Sequence, residues 1–264
     1  MNVADILKNA PVSNLTPEEK AQKMVDYFNN SVGNLNDEDG YNCNDCKNRG
    51  YFAKLDAYGN EVRVECKCLH TRNILRRAQK SGLGAKLHEY RFDTYKVIDE
   101  WQNALKTASI AFCEDVTANL FYIGGQVGCG KTHLCTAICA YYLKKGFYVK
   151  YMLWAEDAKR LKSIANDKTY QNEVAVYKNA SVLYIDDFLK VKHGENPTAA
   201  DINLAFEIIN SRLVNERITI ISSEKTLDEL MQYDEATMSR IYQQAGKYRL
   251  TIEKDINKNY RLRG

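Results

Sequence analysis

Eight consecutive residues, Gly125-Gln126-Val127-Gly128-Cys129-Gly130-Lys131-Thr132, complete the pattern G-x-x-x-x-G-K-[ST]. Glycines let a backbone wrap a phosphate chain closely, and the free N–H groups that open a helix face such an anion with the positive end of the helix dipole. In that setting Lys131 would reach the β- and γ-phosphates and the Thr132 hydroxyl would coordinate Mg²⁺. His133 extends the run of candidate nucleotide contacts. Further along, Val182-Leu183-Tyr184-Ile185-Asp186-Asp187 sets two acids after four apolar residues. Asp186 would hold the hydration shell of the Mg²⁺, and Asp187 is placed to orient or deprotonate an attacking water. The two motifs together imply hydrolysis. Cys129, Cys135 and Cys139 read as small packing residues rather than reactive thiols.

A second group of residues points to a metal. Cys43-x-x-Cys46 is followed by Cys66-x-Cys68, two close pairs joined by a short excursion. Such a layout resembles a zinc ribbon, in which a hairpin brings two cysteine-bearing turns together around tetrahedral Zn²⁺. Lys54–Val62, with Tyr58-Gly59-Asn60 at its turn, supplies the hairpin. The single residue between Cys66 and Cys68 leaves His70 open as a substitute ligand, and an iron–sulfur cluster is the metal alternative.

These residues need elements to position them. Leu120–Ile123 before the phosphate loop is strand-like and Thr132–Leu143 after it is helical; Tyr148–Leu153, Val182–Ile185, Ile218–Ser222 and Tyr248–Ile252 read as further buried strands. Between them lie helical patterns such as Ile202, Ala205, Phe206, Ile209 and Leu213. The expected fold is an α/β, three-layer phosphate-loop NTPase with a parallel sheet, preceded by a small zinc-ribbon-like module and an N-terminal helix. Boundaries fall at 1–42 for the helix and linker, 43–70 for the zinc module, 71–95 for a basic linker and 96–264 for the ATPase domain.

In the first of these segments, Thr16-Pro17-Glu18-Glu19 reads as a capping box that starts the helix. Ala21, Met24, Val25 and Phe28 give that helix one apolar face, able to dock on the chain's own body or on a partner. Residues 29–42 read as a linker. Arg72, Arg76, Arg77, Lys80, Lys86 and Arg91 make the most basic stretch, either a solvated helix face or a phosphate contact. The loop from Lys190 to Ala199 reads as polar and solvated, with Lys190, Lys192 and His193 as candidate DNA contacts.

Composition bounds the rest. With 264 residues, 45% hydrophobic and 27% charged, the chain can bury a sizeable core plus a small module. A net charge of +3 excludes nucleic-acid binding by the whole surface, so any DNA footprint must be local. No apolar run approaches the roughly 20 residues that span a bilayer, and Met1–Ala10 lacks a signal-peptide layout, so the cytoplasm is expected, with metal-bound or free rather than disulfide-linked cysteines.

Taken together, the phosphate loop, the Asp186-Asp187 pair and the cysteine cluster resemble the DnaC/DnaI-type helicase loaders and their IstB-like relatives of the AAA+ class, particularly phage and Gram-positive members that carry a zinc module. The likeness runs from about Cys43 to the C-terminus, and it implies ATP as the nucleotide, in the cytoplasm of a bacterial cell. Lys80-Ser81-Gly82-Leu83 followed by Tyr90-Arg91-Phe92-Asp93-Thr94-Tyr95 looks like that family's lead-in, which lies near the adenine. Phe206–Arg212 and Thr219-Ile220-Ile221-Ser222-Ser223-Glu224 resemble its next helix and its sensor strand. Where the family often ends that strand on Ser-Asn, this chain has Ser223-Glu224, and a carboxylate cannot donate the same hydrogen bond, so Ser223 or Glu224 is left to serve. Ser239-Arg240-Ile241 matches the arginine-finger motif, whose arginine reaches a neighbouring subunit's nucleotide; this implies weak ATPase activity in an isolated subunit. Arg249 and Arg261 are both candidates for a second sensor.

By the same resemblance, the partners would be a replicative hexameric DNA helicase and single-stranded DNA, with self-assembly on either and ATP governing the loading of the ring. Three other classes share the phosphate loop. An IstB-like transposase helper has the same core, and the zinc module argues for the loader. A phosphate-loop kinase needs acceptor and lid residues but no Ser-Arg finger. A non-hydrolysing adaptor would be indifferent to losing the Asp187 carboxylate.

Overall fold

Thr16 opens the first helix through reciprocal bonds: the Glu19 N–H donates to Thr16 Oγ1 at 3.2 Å and the Thr16 N–H donates to Glu19 Oε2 at 2.8 Å. The computed structural model describes residues 15–84, 86–192 and 195–262. It divides into two compact units, the first ending at Arg76 and the second beginning at Arg77.

In the first unit, helix α1 (Pro17–Asn30) is followed by the short α2 (Leu35–Asp39), which Gly40 closes at φ 68°. The stretch 29–42, expected as a linker, is therefore partly helical. Strands β1 (Tyr51–Leu55) and β2 (Glu61–Glu65) pair antiparallel from Tyr51↔Glu65 to Leu55↔Glu61. Their turn is tied by Asp56, whose Oδ1 accepts the N–H groups of Tyr58 and Asn60, each at 2.9 Å. Helix α3 (Cys68–Ser81) contains the boundary between the units. The apolar face of α1 is used within the chain: Val25 is buried, Phe28 lies under the guanidinium groups of Arg49 and Arg63 at 4.8 and 5.4 Å, and the Asn29 side chain exchanges two hydrogen bonds with the Ala53 backbone. Met24 and Tyr27 remain exposed.

The second unit opens on α4 (Lys86–Glu89) and α5 (Glu100–Glu114). There follow β3 (Leu120–Gly125), α6 (Lys131–Lys144), β4 (Val149–Leu153), α7 (Trp154–Ser163), α8 (Tyr170–Asn179), β5 (Val182–Asp186), α9 (Ala199–Val214), β6 (Ile218–Ser223), α10 (Leu227–Met231), α11 (Glu235–Ala245) and β7 (Arg249–Ile252). The five strands β3–β7 form one parallel sheet in the order β4-β5-β6-β3-β7. Side chains alternate across it as the pleat demands. Phe121, Ile123, Val182, Tyr184 and Ile220 pack with α5 and α6 on one face; Leu120, Tyr122, Leu183, Ile185 and Ile221 pack with α7 to α11 on the other. Three layers result. All five strands point the same way, so Gly125, Asp186 and Ser223 end on one edge of the sheet, where open α/β sheets bind ligands. Among the described residues, no helix is long and apolar enough to cross a membrane.

Three residues of the basic stretch, which spans both units, are held within the unit each belongs to. Arg76 pairs with Glu38 at 2.7 Å, Arg91 with Asp93 at 2.9 Å, and Arg72 is fully buried.

Candidate functional site

Residues 125–130 leave β3 and turn into α6 through a run of left-handed glycines, Gly125 at φ 108°, Gly128 at 74° and Gly130 at 91°. A Cβ at Gly125 would strike the Ile252 carbonyl, and one at Gly128 would strike the Asn259 side chain. The loop is thus held from behind by the segment that follows β7. The Gln126 N–H donates to the Ile252 carbonyl at 3.0 Å, the Asp255 N–H to Gln126 Oε1 at 2.9 Å, and the Tyr260 N–H to the Gly128 carbonyl at 2.9 Å.

In front of the loop lies a cleft of about 430 Å³. Val127, Gly128, Gly130, Lys131, Thr132 and His133 line it, whereas Gly125, Gln126 and Cys129 form the back of the loop. Lys131 Nζ donates to the carbonyls of Gly125 and Gln126 at 2.9 and 2.6 Å. Its ammonium therefore stays within the loop it belongs to. At one end the cleft is aromatic. His133 stacks on Tyr90 with centroids 4.8 Å apart and meets Tyr95 edge-on at 5.2 Å, and Tyr260 completes the lining. A carbonyl can only accept, so the 2.8 Å contact with the Arg91 carbonyl puts the imidazole proton on Nε2. Burial lowers the pKa of His133, with the Arg91 carbonyl opposing, which keeps the ring neutral and suited to stacking against a base. The lead-in thus reaches the cleft through Tyr90, Thr94 and Tyr95.

Of the two acids, Asp187 lines the cleft and Asp186 stands behind it, bonded to Thr132. Asp186 is buried at the end of β5 and accepts from four hydroxyls: Thr132 at 3.2 Å, Tyr151 at 3.0 Å, Tyr184 at 2.7 Å and Ser222 at 2.5 Å. Burial, and next the charge of Asp186, push the Tyr151 phenol up, so it remains a donor. Lys86 Nζ stands 4.0 Å from the same carboxylate and donates to the Tyr151 hydroxyl at 3.1 Å. The arrangement fixes Asp186 against Thr132, the geometry in which a hydroxyl and a carboxylate share a Mg²⁺. Asp187 lines the cleft at φ 55°, and Leu189 adopts φ 54°. Left-handed backbone is tolerated by aspartate but costs a leucine about 1 kcal/mol or more. It persists because Phe188 and Leu189 are wholly buried and the Phe188 N–H donates to the Ser222 carbonyl at 2.8 Å.

The sensor candidates separate cleanly. Ser223 is buried and its hydroxyl donates to the Phe188 carbonyl at 3.0 Å, away from the cleft, whereas Glu224 lines it. Arg261 also lines the cleft, while Arg249 lies 3.3 Å over the Tyr242 ring and donates to the Tyr242 carbonyl. Arg240 is exposed on α11, donates to Asn210 Oδ1, and does not line this chain's cleft. Lys190, expected in a solvated loop, turns back to the cleft instead, and His193 lies outside the described residues. Lys96, Tyr151 and Tyr260 carry no motif, and only the folded arrangement brings them to the site.

The four cysteines of the first unit form the candidate metal centre. Zn–S bonds of about 2.3 Å set the edges of a tetrahedron at roughly 3.8 Å. The Sγ atoms of Cys43 and Cys66 are 3.8 Å apart, those of Cys46 and Cys68 are 3.5 Å apart, and all four lie within 4.8 Å of one another. The donor set of four thiols at these separations is compatible with tetrahedral zinc. His70 is exposed and outside the group. Burial opposes ionisation of Cys46, but the Gly50 N–H and the neighbouring thiols outweigh it and bring its pKa to about 7. Burial pushes Cys68 up to about 12 against the pull of Arg72. That guanidinium is wholly buried, donates to Asn48 Oδ1 at 2.9 Å and lies over Tyr41, where it would offset the negative charge of the thiolates when they hold a metal.

With this geometry established, known proteins can be compared. Residues 47–245 match the family model described as IstB-like ATP binding protein. The phage-like element PBSX protein XkdC of Bacillus subtilis (strain 168) is 31% identical over 242 residues, covering 86% of this chain and 89% of that protein. The uncharacterized protein YqaM of Bacillus subtilis (strain 168) is 30% identical over 222 residues, 79% of this chain and 70% of that protein. Among solved structures, the DnaC helicase loader superposes with a TM-score of 0.55 at 22% identity, over 65% of this chain and 100% of that chain, which is a likeness of fold.

Proposed function

The chain belongs to the IstB-like ATP-binding proteins and is an ATPase of the AAA+ class, and from that premise we propose that it loads a replicative hexameric helicase onto single-stranded DNA. One observation carries the reading: a complete phosphate-loop site, with Thr132 set against Asp186, shares the chain with a four-thiol metal module that nucleotide hydrolysis does not need. The fold likeness to a helicase loader and the kinship with a phage-element protein support it.

In this reading the triphosphate lies along residues 125–132 and the adenine against Tyr90, Tyr95 and His133. Lys131 supplies positive charge to the terminal phosphates, and Thr132 and Asp186 hold Mg²⁺, which when bound neutralises charge on the phosphate oxygens. Asp187, at the mouth of the cleft, orients the attacking water and takes its proton. Arg240 completes the site of a neighbouring copy. Zn²⁺ on Cys43, Cys46, Cys66 and Cys68 gives the first unit the stability its few apolar residues do not supply.

Native mass spectrometry of the full chain with the host's replicative helicase, ATP and Mg²⁺ tests the proposal. A defined number of copies on the helicase hexamer is the expected result. Zinc and nucleotide bound with no helicase complex would instead favour a transposase helper, the second reading that the family match supports.

A further inference from the structure

Two strands of the sheet end beside each other on acids: β5 leads into Asp187 and β6 into Glu224. Between these acids stands one ammonium. Lys190 Nζ donates to Asp187 Oδ2 at 2.9 Å and to Glu224 Oε1 at 2.8 Å, and all three residues line the cleft with Lys131 and Thr132. The backbone that delivers Lys190 is rigid. Asp187 and Leu189 are both left-handed, Phe188 and Leu189 are buried, and the Lys190 N–H donates to the Asp187 carbonyl at 3.0 Å. The side chain is not rigid in the same way. It is 39% exposed, and ion pairs at that exposure hold their partners weakly.

A lysine so placed faces a choice of anions. A terminal phosphate offers more than one negative charge and three acceptor oxygens, and it binds an ammonium more strongly than a half-exposed carboxylate does. A diphosphate has no such group to present at this end of the cleft. The strand that ends on Ser223 and Glu224 brings no donor of its own, since Ser223 is committed to the Phe188 carbonyl and a carboxylate only accepts.

We propose that Lys190 is the residue by which this site tells a nucleoside triphosphate from a diphosphate, leaving Asp187 for the terminal phosphate while Glu224 keeps it at the cleft. The exchange also unmasks the Asp187 carboxylate, so recognition of the triphosphate and readiness for hydrolysis are one event. This rests on the reading of the cleft as a nucleotide site.

Isothermal titration of the full, zinc-loaded chain with ADP and with the β,γ-methylene analogue of ATP, both with Mg²⁺, tests it in wild type, Lys190→Ala, Lys190→Arg and Lys131→Ala. Lys190→Ala is expected to weaken the analogue by about tenfold or more while leaving ADP within about twofold, and Lys190→Arg to retain most of the preference. Lys131→Ala should weaken both ligands. An unchanged analogue affinity in Lys190→Ala, or an equal loss for both nucleotides, would overturn the assignment. Failure of the wild-type chain to bind either nucleotide would overturn the site reading beneath it.

Discussion

Arg240 projects from α11 with its guanidinium 5.9 Å from the Phe206 ring centre, outside the cleft of its own chain. From there it can act on nucleotide only in another copy. If Arg240 is the finger proposed above, ATP turnover should rise with protein concentration or single-stranded DNA, and replacing it with alanine is expected to lower that raised turnover by about 10³-fold. An acceleration that survives the substitution would remove Arg240 from the mechanism. A short motif, Ser239-Arg240-Ile241, singles this candidate out in the sequence. No motif points Lys190 to the cleft. A sequence states a charge but not its partner, and the turn that brings Lys190 back to the cleft needs left-handed backbone at Asp187 and also at Leu189, a residue type that seldom adopts it. The same holds for Tyr260, whose N–H reaches the phosphate loop only because the chain after β7 folds back.

At the scale of elements, the five strands were legible because their runs are mostly apolar, unbroken in β3 and β5 as buried parallel strands require and interrupted by Lys150, Thr219, Arg249 and Thr251 elsewhere, and their ends shifted by only a residue or two. What fixes the helices against them was less visible. Arg212, near the end of α9, is wholly buried and donates five hydrogen bonds: to Thr219 Oγ1 and to the carbonyls of Tyr177, Lys178, Ala180 and Ile218. It ties the end of α8 and the start of β6 to α9. Polar patterning would place such a residue on a solvated face, yet no water reaches it. Arg212→Met is expected to destabilise the second unit by about 3 kcal/mol or more, because the carbonyls lose their donors in a buried place. Thermal unfolding should show a midpoint about 10 °C lower. A shift under about 2 °C would mean that water or a neighbouring donor replaces the guanidinium.

The molecule as a whole joins two units that are stabilised differently. The second has two extensive apolar clusters, one on each face of its sheet, whereas the first gathers four cysteines with Tyr41 and Phe52 around them. On the proposed reading a metal supports that small core, since a structural zinc on four thiolates would contribute roughly 10 to 16 kcal/mol. Chelation of the full chain is therefore expected to open the region around residues 43–68 to protease while nucleotide binding by the second unit persists. Loss of nucleotide binding on chelation, or no new cleavage, would contradict this division. The C-terminal brace on the phosphate loop has a consequence for synthesis. Asp255 lies 129 residues after Gln126, whose side chain it binds, and the neighbouring strand β7 also comes last. A ribosome adding about 5 to 20 residues per second leaves the loop without its brace for roughly 6 to 26 s. During that interval the nascent chain has its glycines and Lys131 but not the backing that shapes them, so competence for nucleotide is acquired once residues 252–260 have emerged rather than when the motif itself does.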